Sequence, residues 1–231
     1  MSDSIFKSNI AEDIKYFKDV NPELYGAWMD YHGAVFTEGA LTKKEKELTA
    51  VAIAHITACP YCIRARVTNC KNLGATDEEV VEAIYVGMRF AMGAPYAYSS
   101  IAFEASDAID NDIPLTDGHF FKKNIAKEIG EFKNSSAKSG DSFGELTKTI
   151  FADGALSKKF KRGIIGLACA HATQCPYCIR GCVKDAKTDG YSKEHIAEAI
   201  NVAMVMCAGS GYAHASIAMD ALKKFNEKQA A

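Results

Sequence analysis

Two copies of the hexapeptide Cys-Pro-Tyr-Cys-Ile-Arg contain the residues best suited to chemistry. The copies begin at Cys59 and Cys175, and a histidine stands four residues before each of them, at His55 and His171. Cysteines at positions i and i+3 can come within disulfide distance across one helical turn. The pattern therefore predicts a redox-active dithiol, present in two matching settings.

The proline inside each copy predicts where a helix begins relative to the two cysteines. It lacks an N–H and has a helix-ready φ, which favours the first position of a helix. The first cysteines, Cys59 and Cys175, would then be cap residues, and Cys62 and Cys178 would lie in the first turn. Free N–H groups and the positive end of the helix dipole stabilise a thiolate there, and the thiolate is the form that attacks peroxides and disulfides.

Composition restricts the classes of protein to consider. The chain has 231 residues, of which 48% are hydrophobic and 24% charged, enough for one large domain or two small ones. A net charge of −2 argues against a nucleic-acid partner. The first seven residues have no apolar signal-peptide core, and no uninterrupted apolar run is long enough to span a membrane. We expect a soluble cytoplasmic protein, where a C-x-x-C pair is more often catalytic or metal-binding than structural.

The two hexapeptides belong to a longer internal repeat of about 70 residues. The matching segments are Phe36–Lys44 with Phe151–Lys159, the two cysteine segments, and Gly93–Ala102 with Gly209–Ala218. The offset between copies is 115 residues before the cysteines and 116 from His55 onward. One residue has therefore been added or lost between Leu41 and His55.

Both copies have the signals of helices, and no segment shows sustained strand alternation. Polar caps precede apolar runs, and glycines follow them, at matching places. The caps are Thr42 with Ser157 and Thr76 with Ser192; the expected helix ends are Gly74 with Gly190 and Gly93 with Gly209. We predict an all-α, two-repeat helical bundle with pseudo-twofold symmetry.

The predicted domain organisation is one compact body over residues 1–231. Its parts are an N-terminal helical segment over residues 1–35, a first repeat over 36–106, a linker over 107–150 and a second repeat over 151–231. A helix is expected over Pro22–His32, and Asn134–Asp141 is predicted to be a flexible loop because its residues are small and polar.

These motifs resemble the carboxymuconolactone decarboxylase superfamily, specifically its alkylhydroperoxidase AhpD-like branch. The family pattern is a glutamate, a C-x-x-C pair whose first cysteine follows twelve residues later, and a histidine four residues after the second cysteine. In the first copy Glu47, Cys59 and Cys62 fit, but Arg66 stands at the histidine position. In the second copy the two cysteines fit. There Gly163 holds the glutamate position and Cys182 the histidine position, so neither half has the complete family proton relay.

The resemblance implies a function and partners. AhpD-like proteins are all-helical antioxidant enzymes whose cysteine pair reduces a small peroxide or disulfide, without another cofactor. They are regenerated by a thiol or dithiol reductant and usually assemble as homotrimers or hexamers. The implied activity is that of a thiol-dependent peroxidase or disulfide oxidoreductase, with Cys59, Cys62, Cys175 and Cys178 as the reacting residues.

Geometry suggests what replaces the family relay in the first half. A continuous helix rises about 1.5 Å per residue, which would leave Glu47 roughly 18 Å from Cys59. Glu47 can approach the cysteines only if the chain reverses there and two helices pack as a hairpin. Position 66 would then face it, and we predict a Glu47–Arg66 ion pair. Arg66 could favour a thiolate at Cys62 but could not shuttle a proton near neutral pH.

Other interpretations of the same residues stay open. His55 and His171 are either bases that serve the cysteines or hydrogen-bonded core histidines. Cys182 is either a further resolving thiol or, with Cys175, Cys178 and a histidine, a ligand of zinc or an iron–sulfur centre. Three cysteines without counterparts (Cys70, Cys169, Cys207) and four methionines (Met88, Met92, Met204, Met206) are expected to pack in the core.

Two functional alternatives accompany the redox hypothesis. The first is a non-redox enzyme of the decarboxylase type, which should retain activity on a lactone after both cysteines of a pair are replaced. The second is a binding or scaffold protein that has lost catalysis, which the incomplete relay in both halves would explain.

Overall fold

All regular structure in the described residues is helical, as predicted. The computed structural model describes residues 6–111, 113 and 122–230. The helices are α1 Ala11–Val20, α2 Pro22–Val35, α3 Lys43–Ile56, α4 Pro60–Asn72, α5 Asp77–Asp110, α6 Ala126–Ser135, α7 Ala137–Ile150, α8 Lys158–Phe160, α9 Gly166–Ala172, α10 Pro176–Thr188 and α11 Lys193–Ala230. A π-helical turn, Lys161–Ile165, joins α8 to α9 without a break.

The predicted caps begin the predicted helices. Thr42 and Thr76 each form a complete capping box with the glutamate three residues later, at the start of α3 and α5. Gly74 and Gly190 follow α4 and α10 with φ of +77° and +84°, a conformation that only glycine adopts without strain. Local sequence therefore fixes where these helices begin and end.

The chain reverses immediately before each cysteine pair. Ala58 and Gln174 have left-handed φ of 51° and 55°, which costs a non-glycine residue roughly 1 kcal/mol. The next residue returns its N–H to the preceding helix: Cys59 to the Ala54 carbonyl at 3.3 Å and Cys175 to the Ala170 carbonyl at 3.1 Å. The helical hairpin that the sequence predicts is thus present in both halves.

The π-helical turn lies where the repeat offset changes. Lys46 and Lys161 match at an offset of 115 and form the same contact, an ion pair with Glu198 and Glu82 at 3.1 and 3.0 Å. Beyond this turn the two halves match at 116. A π turn accommodates one extra residue in an α-helix, so the second half carries the insertion, within Lys161–Ile165.

Two sequence predictions of helix boundaries were wrong. Helices α5 and α11 continue through Gly93 and Gly209 instead of ending there. Gly93 lies buried against a neighbouring side chain, and the continuous helix is held by its packing rather than by local propensity. The expected loop Asn134–Asp141 is also helical except at Ser136, where α6 meets α7.

The two halves interlock around one shared core. Helices α3 and α9 are buried along most of their length, and each packs against both long helices, α5 and α11. The central helices therefore position the cysteine hairpins on either side of the core.

Within the described residues, α11 has the length and composition that could cross a membrane, but part of it is buried inside this bundle.

Candidate functional site

Each cysteine pair has one sealed sulfur and one accessible sulfur. Cys59 and Cys175 are fully buried, whereas Cys62 and Cys178 are partly exposed. The buried sulfur caps its helix by accepting the N–H of the second cysteine, at 3.3 Å in both halves. The predicted cap and first-turn positions are confirmed, and the second cysteine is the one that an incoming molecule can reach.

Each accessible sulfur opens into a cavity built from both repeats. Cys62 lines a cavity of about 290 Å³ together with α2 and with α11 of the other half, which contributes Met206 and Tyr212. Cys178 lines a cavity of about 210 Å³ together with the α7 region and with α5, which contributes Arg89 and Phe90. The long helix of each repeat thus covers the cysteines of the other repeat.

The predicted Glu47–Arg66 ion pair is present beside the first cavity. One Arg66 guanidinium nitrogen lies 3.0 and 3.2 Å from the two Glu47 oxygens, and both side chains are mostly buried. Asn69 donates a further hydrogen bond to Glu47 at 3.0 Å. Burial raises the pKa of Glu47, and the positive charge of Arg66 and the Asn69 hydrogen bond oppose that rise.

His32 extends this pair and was missed by the sequence reasoning. Its Nε2 lies 2.9 Å from the second terminal nitrogen of Arg66, and its ring lines the first cavity. Burial, together with the charge of Arg66, lowers the pKa of His32, so the ring accepts the Arg66 N–H in its neutral form. His32 lies on α2, upstream of the repeat that sequence comparison delimits, where no motif marked it.

In the second half a positively charged residue, Arg162, stands where the first half has the acid Glu47. Arg162 bonds Asp185 at 2.8 and 2.7 Å, and Asp185 is the counterpart of Asn69 at the offset of 116. Gly163, which the sequence places at the glutamate position, is tightly packed: a Cβ there would lie 3.1 Å from the Ala186 Cα. Arg162 is therefore the structural counterpart of the acid in the first half.

Arg89 is the second residue that the sequence reasoning missed. Its Nε donates to the Thr147 hydroxyl at 2.7 Å, and its guanidinium stacks over the Phe143 ring at 4.5 Å. A Cβ on Gly93 would lie 3.1 Å from an Arg89 terminal nitrogen and 3.6 Å from the Cys178 sulfur. The bare glycine lets this guanidinium approach the sulfur of the other repeat, which only the tertiary fold reveals.

The two pairs differ in how they hold a negative charge. The pKa of Cys175 is lowered to about 6 because the Cys178 thiol and backbone N–H groups hydrogen-bond its sulfur and Arg89 supplies positive charge. The same hydrogen bond, together with burial, raises the pKa of Cys178. In the first half, burial and the hydrogen bond to Cys59 raise the pKa of Cys62 to about 12. In both halves the hydrogen bond inside the pair therefore keeps the proton on the accessible sulfur, and in the second half it lowers the pKa of the buried one.

The predicted histidines occupy equivalent places but line neither of these cavities. Nδ1 of His55 lies 2.8 Å from the Val51 carbonyl, and Nδ1 of His171 lies 2.9 Å from the Leu167 carbonyl, one turn back on their own helices. Both rings are half-buried. A carbonyl only accepts, so Nδ1 donates and Nε2 is left to accept. A catalytic role for either ring stays a prediction.

Cys182 lies beside the second pair as the sequence suggested. It lines the second cavity, and burial raises its pKa to about 12, so it is a neutral thiol near neutral pH. Within residues 6–111, 113 and 122–230, no group of three His, Cys, Asp or Glu side chains is arranged to hold a metal ion. A role of Cys182 as a further resolving thiol stays a prediction.

Part of the packing assignment was wrong. Cys70 and Cys169 are buried as expected, but Cys207 is exposed. Met206 is buried, whereas Met88 and Met204 are 47% and 54% exposed. The two exposed methionines match at an offset of 116, so both halves present the same residue outward from a long helix, where the apolar pattern of the sequence suggested the core.

Comparison with known proteins agrees with this architecture. The sequence profile described as "Carboxymuconolactone decarboxylase family" matches residues 22–106 and 138–221. The chain is also 47% identical over 98 residues to "Uncharacterized protein 4 in cox locus" from Paracoccus denitrificans, an alignment covering 42% of this chain and 87% of that protein. No solved structure matches. The profile covers both halves and most of the chain, which therefore belongs to the carboxymuconolactone decarboxylase family.

Proposed function

We propose that the protein is a thiol-dependent oxidoreductase that reduces a small peroxide or disulfide. The observation that carries this proposal is the arrangement of each pair. A buried cysteine accepts an N–H at a helix start, while the accessible cysteine hydrogen-bonded to it opens into a cavity. An accessible attacking sulfur with a resolving sulfur at its side is what two-step thiol redox chemistry requires.

The steps can be written for a peroxide at the second site. As the Cys178 thiol passes its proton to Cys175, its sulfur attacks one peroxide oxygen; the O–O bond breaks and an alcohol or water leaves after protonation. Cys178 is then a sulfenic acid, oxidised by two electrons. The Cys175 sulfur attacks it, water leaves and a disulfide forms. A dithiol reductant returns both thiols and is itself oxidised to a disulfide.

The second pair is proposed to react first. Its shared proton is lost near pH 6, and Arg89 lies close enough to favour the charged form. Beside the first pair, the charge of Arg66 is already neutralised by Glu47. Arg66 therefore stabilises a thiolate in the first pair less than Arg89 does in the second. This difference is the physical basis for expecting the second pair to react first.

Peroxide consumption with a dithiol reductant tests this function. We expect turnover by the wild-type protein, a large loss in the Cys178→Ser variant and a smaller loss in Cys62→Ser. Turnover that survives replacement of both pairs would contradict the proposal. Activity on a lactone under those conditions would instead support the decarboxylase-type alternative, and no activity of either kind in the wild type would support a scaffold.

We further propose that the protein works in the cytoplasm as a homo-oligomer, a trimer or a hexamer. Support comes from α5, where Val81, Tyr85 and Met88 lie exposed at helical spacing on one face, together with Met204 on α11. Replacing Tyr85 and Met88 by glutamate should lower the mass measured by light scattering to that of the monomer. An unchanged mass would exclude this face as the contact.

A further inference from the structure

Among the residues that the structure describes, no carboxylate pairs with the guanidinium of Arg89 in the second cavity. Arg89 bonds Thr147 and stacks over the Phe143 ring, and the titratable groups near it are Cys178, Cys182, Tyr96 and Arg162. The other arginine of the cavity, Arg162, is paired with Asp185. The cavity therefore has one uncompensated positive charge beside Cys178, and burial already lowers the pKa of Arg89.

The geometry directs this charge into the cavity. The Thr147 hydroxyl holds Nε, and the Phe143 ring covers one face of the guanidinium. A terminal nitrogen lies next to Gly93, on the side where the Cys178 sulfur also lies. The N–H groups at this end can donate to an oxygen anion, and paired N–H donors of arginine match a carboxylate.

The redox cycle makes an anionic partner useful at this position. While the cysteine pair carries a thiolate, that charge offsets only part of the charge of Arg89, whose other N–H groups stay available to a ligand. Once Cys175 and Cys178 form a disulfide, the thiolate is gone and a half-buried guanidinium is left without a counter-charge, which is unfavourable. A molecule that brings its own negative charge would restore the balance.

We infer that the second cavity selects small substrates with a negative charge next to the reacting sulfur, in particular a carboxylate-bearing thiol and its disulfide, with Arg89 as the anion-binding residue. This inference rests on the proposed thiol chemistry at Cys178. In the first cavity the corresponding positive charge, that of Arg66, is neutralised by Glu47.

The exchange step balances without another reactant. Cys178 passes its proton to Cys175 and attacks one sulfur of the anionic disulfide; the S–S bond breaks, and one carboxylate-bearing thiolate leaves. Cys175 gives its proton to that departing thiolate, attacks the Cys178 sulfur and expels the second thiolate. The substrate is reduced by two electrons, and the cysteine pair is oxidised to its disulfide. The same steps in reverse let the carboxylate-bearing thiol reduce the pair.

Alkylation by iodoacetate and iodoacetamide tests the inference without requiring redox turnover. The two reagents transfer similar groups to a thiolate with loss of iodide, but only iodoacetate is charged. The readout is the ratio of their rates at Cys178 and at Cys62, measured by peptide mass spectrometry on the same sample. We expect the iodoacetate preference at Cys178 to exceed that at Cys62 roughly tenfold. Equal ratios at the two cysteines in the wild-type protein would overturn the inference.

Variants separate charge recognition from thiolate formation. Arg89→Gln should reduce the iodoacetate preference at Cys178 to that of Cys62, and Arg89→Lys should restore part of it. Thr147→Val, which releases Nε, should reduce the preference less and serves if Arg89→Gln does not fold. A preference that persists in Arg89→Gln would contradict the role of Arg89. Anionic dithiodipropionate should oxidise the second pair faster than cationic cystamine; a failure there with the alkylation preference intact would instead count against the proposed redox function.

Discussion

Glu47 and Arg162 stand at corresponding places in the two halves and carry opposite charges. Glu47 accepts a hydrogen bond from Asn69, and Arg162 donates to Asp185, the counterpart of Asn69. The guanidinium groups on both sides also stack on equivalent rings, Arg66 on Phe36 at 4.4 Å and Arg162 on Phe151 at 5.1 Å. Where the first half has an acid beside the cysteines, the second half thus has a cation.

Breaking the buried pair of the first half should destabilise the fold. Glu47→Ala leaves the mostly buried Arg66 without its counter-charge, which costs about 3–5 kcal/mol in comparable sites. The free energy of unfolding from urea titration measures the change. Asp185→Ala is the matched control, because its pair with Arg162 is much more exposed and should lose no more than about 1 kcal/mol. Equal losses in the two variants would show that burial does not separate the pairs.

The second pair should become reactive at unusually low pH. Cys178 reacts by passing its proton to the Cys175 thiolate, so alkylation at Cys178 should be slow below the lowered pKa of Cys175, about 6, and should rise as the pH passes that value. An ordinary cysteine shows this rise near pH 8.5. Arg89→Gln should move the midpoint upward, because it removes positive charge that favours the thiolate. A wild-type midpoint above pH 8 would contradict the assigned electrostatics.

Two glycines at matching positions should respond differently to a methyl group. At Gly93 an added Cβ meets the Arg89 guanidinium, whereas at Gly209 no atom lies within 4 Å. Gly93→Ala should therefore slow thiol alkylation at Cys178 by displacing Arg89. Gly209→Ala should leave the reactivity of Cys62 unchanged and stabilise helix α11 by about 0.5–1 kcal/mol. Identical effects of the two changes on their own cysteines would argue that Arg89 does not act on Cys178.

A reciprocal contact between the halves should contribute to the stability of the whole body. Glu198 accepts the Ala40 and Leu41 N–H groups and pairs with buried Lys46, and Glu82 does the same in the other half. Glu198→Ala would remove the ion-pair partner of Lys46 and the acceptor of two backbone N–H groups. We expect the free energy of unfolding to fall by about 3 kcal/mol. Thermal unfolding should remain a single transition at a lower midpoint; two separate transitions would show that the halves unfold independently.

The fold was largely readable from the sequence because its signals are local. Capping boxes at Thr42 and Thr76 and positive-φ glycines at Gly74 and Gly190 act within a few residues, and the predictions at these positions were confirmed. Gly93 misled the prediction because its role is tertiary. It leaves space for Arg89 rather than ending a helix, and local pattern cannot distinguish the two.

Only part of the site could be predicted from the sequence, because its other contacts are tertiary rather than local. The Glu47–Arg66 pair followed from the geometry of one hairpin, which is a local structure. His32 and Arg89 lie on helices that are distant in sequence from the cysteine hairpins they contact. Arg162 lies in a π turn and pairs with Asp185, a contact that the sequence pattern does not indicate. Repeat comparison shows which segments match, but it does not show that each long helix covers the cysteines of the opposite half.

Mapping disulfides after limited oxidation shows whether the second cysteine pair reacts as a redox dithiol. The reduced protein is treated with one equivalent of peroxide, quenched by alkylation and digested for mass spectrometry. We expect an internal Cys175–Cys178 disulfide as the first product, appearing before any Cys59–Cys62 disulfide, and a trapped sulfenic acid at Cys178 when Cys175 is replaced by serine. Cysteines that remain fully alkylatable after oxidation, or a disulfide that forms only with Cys207, would contradict it.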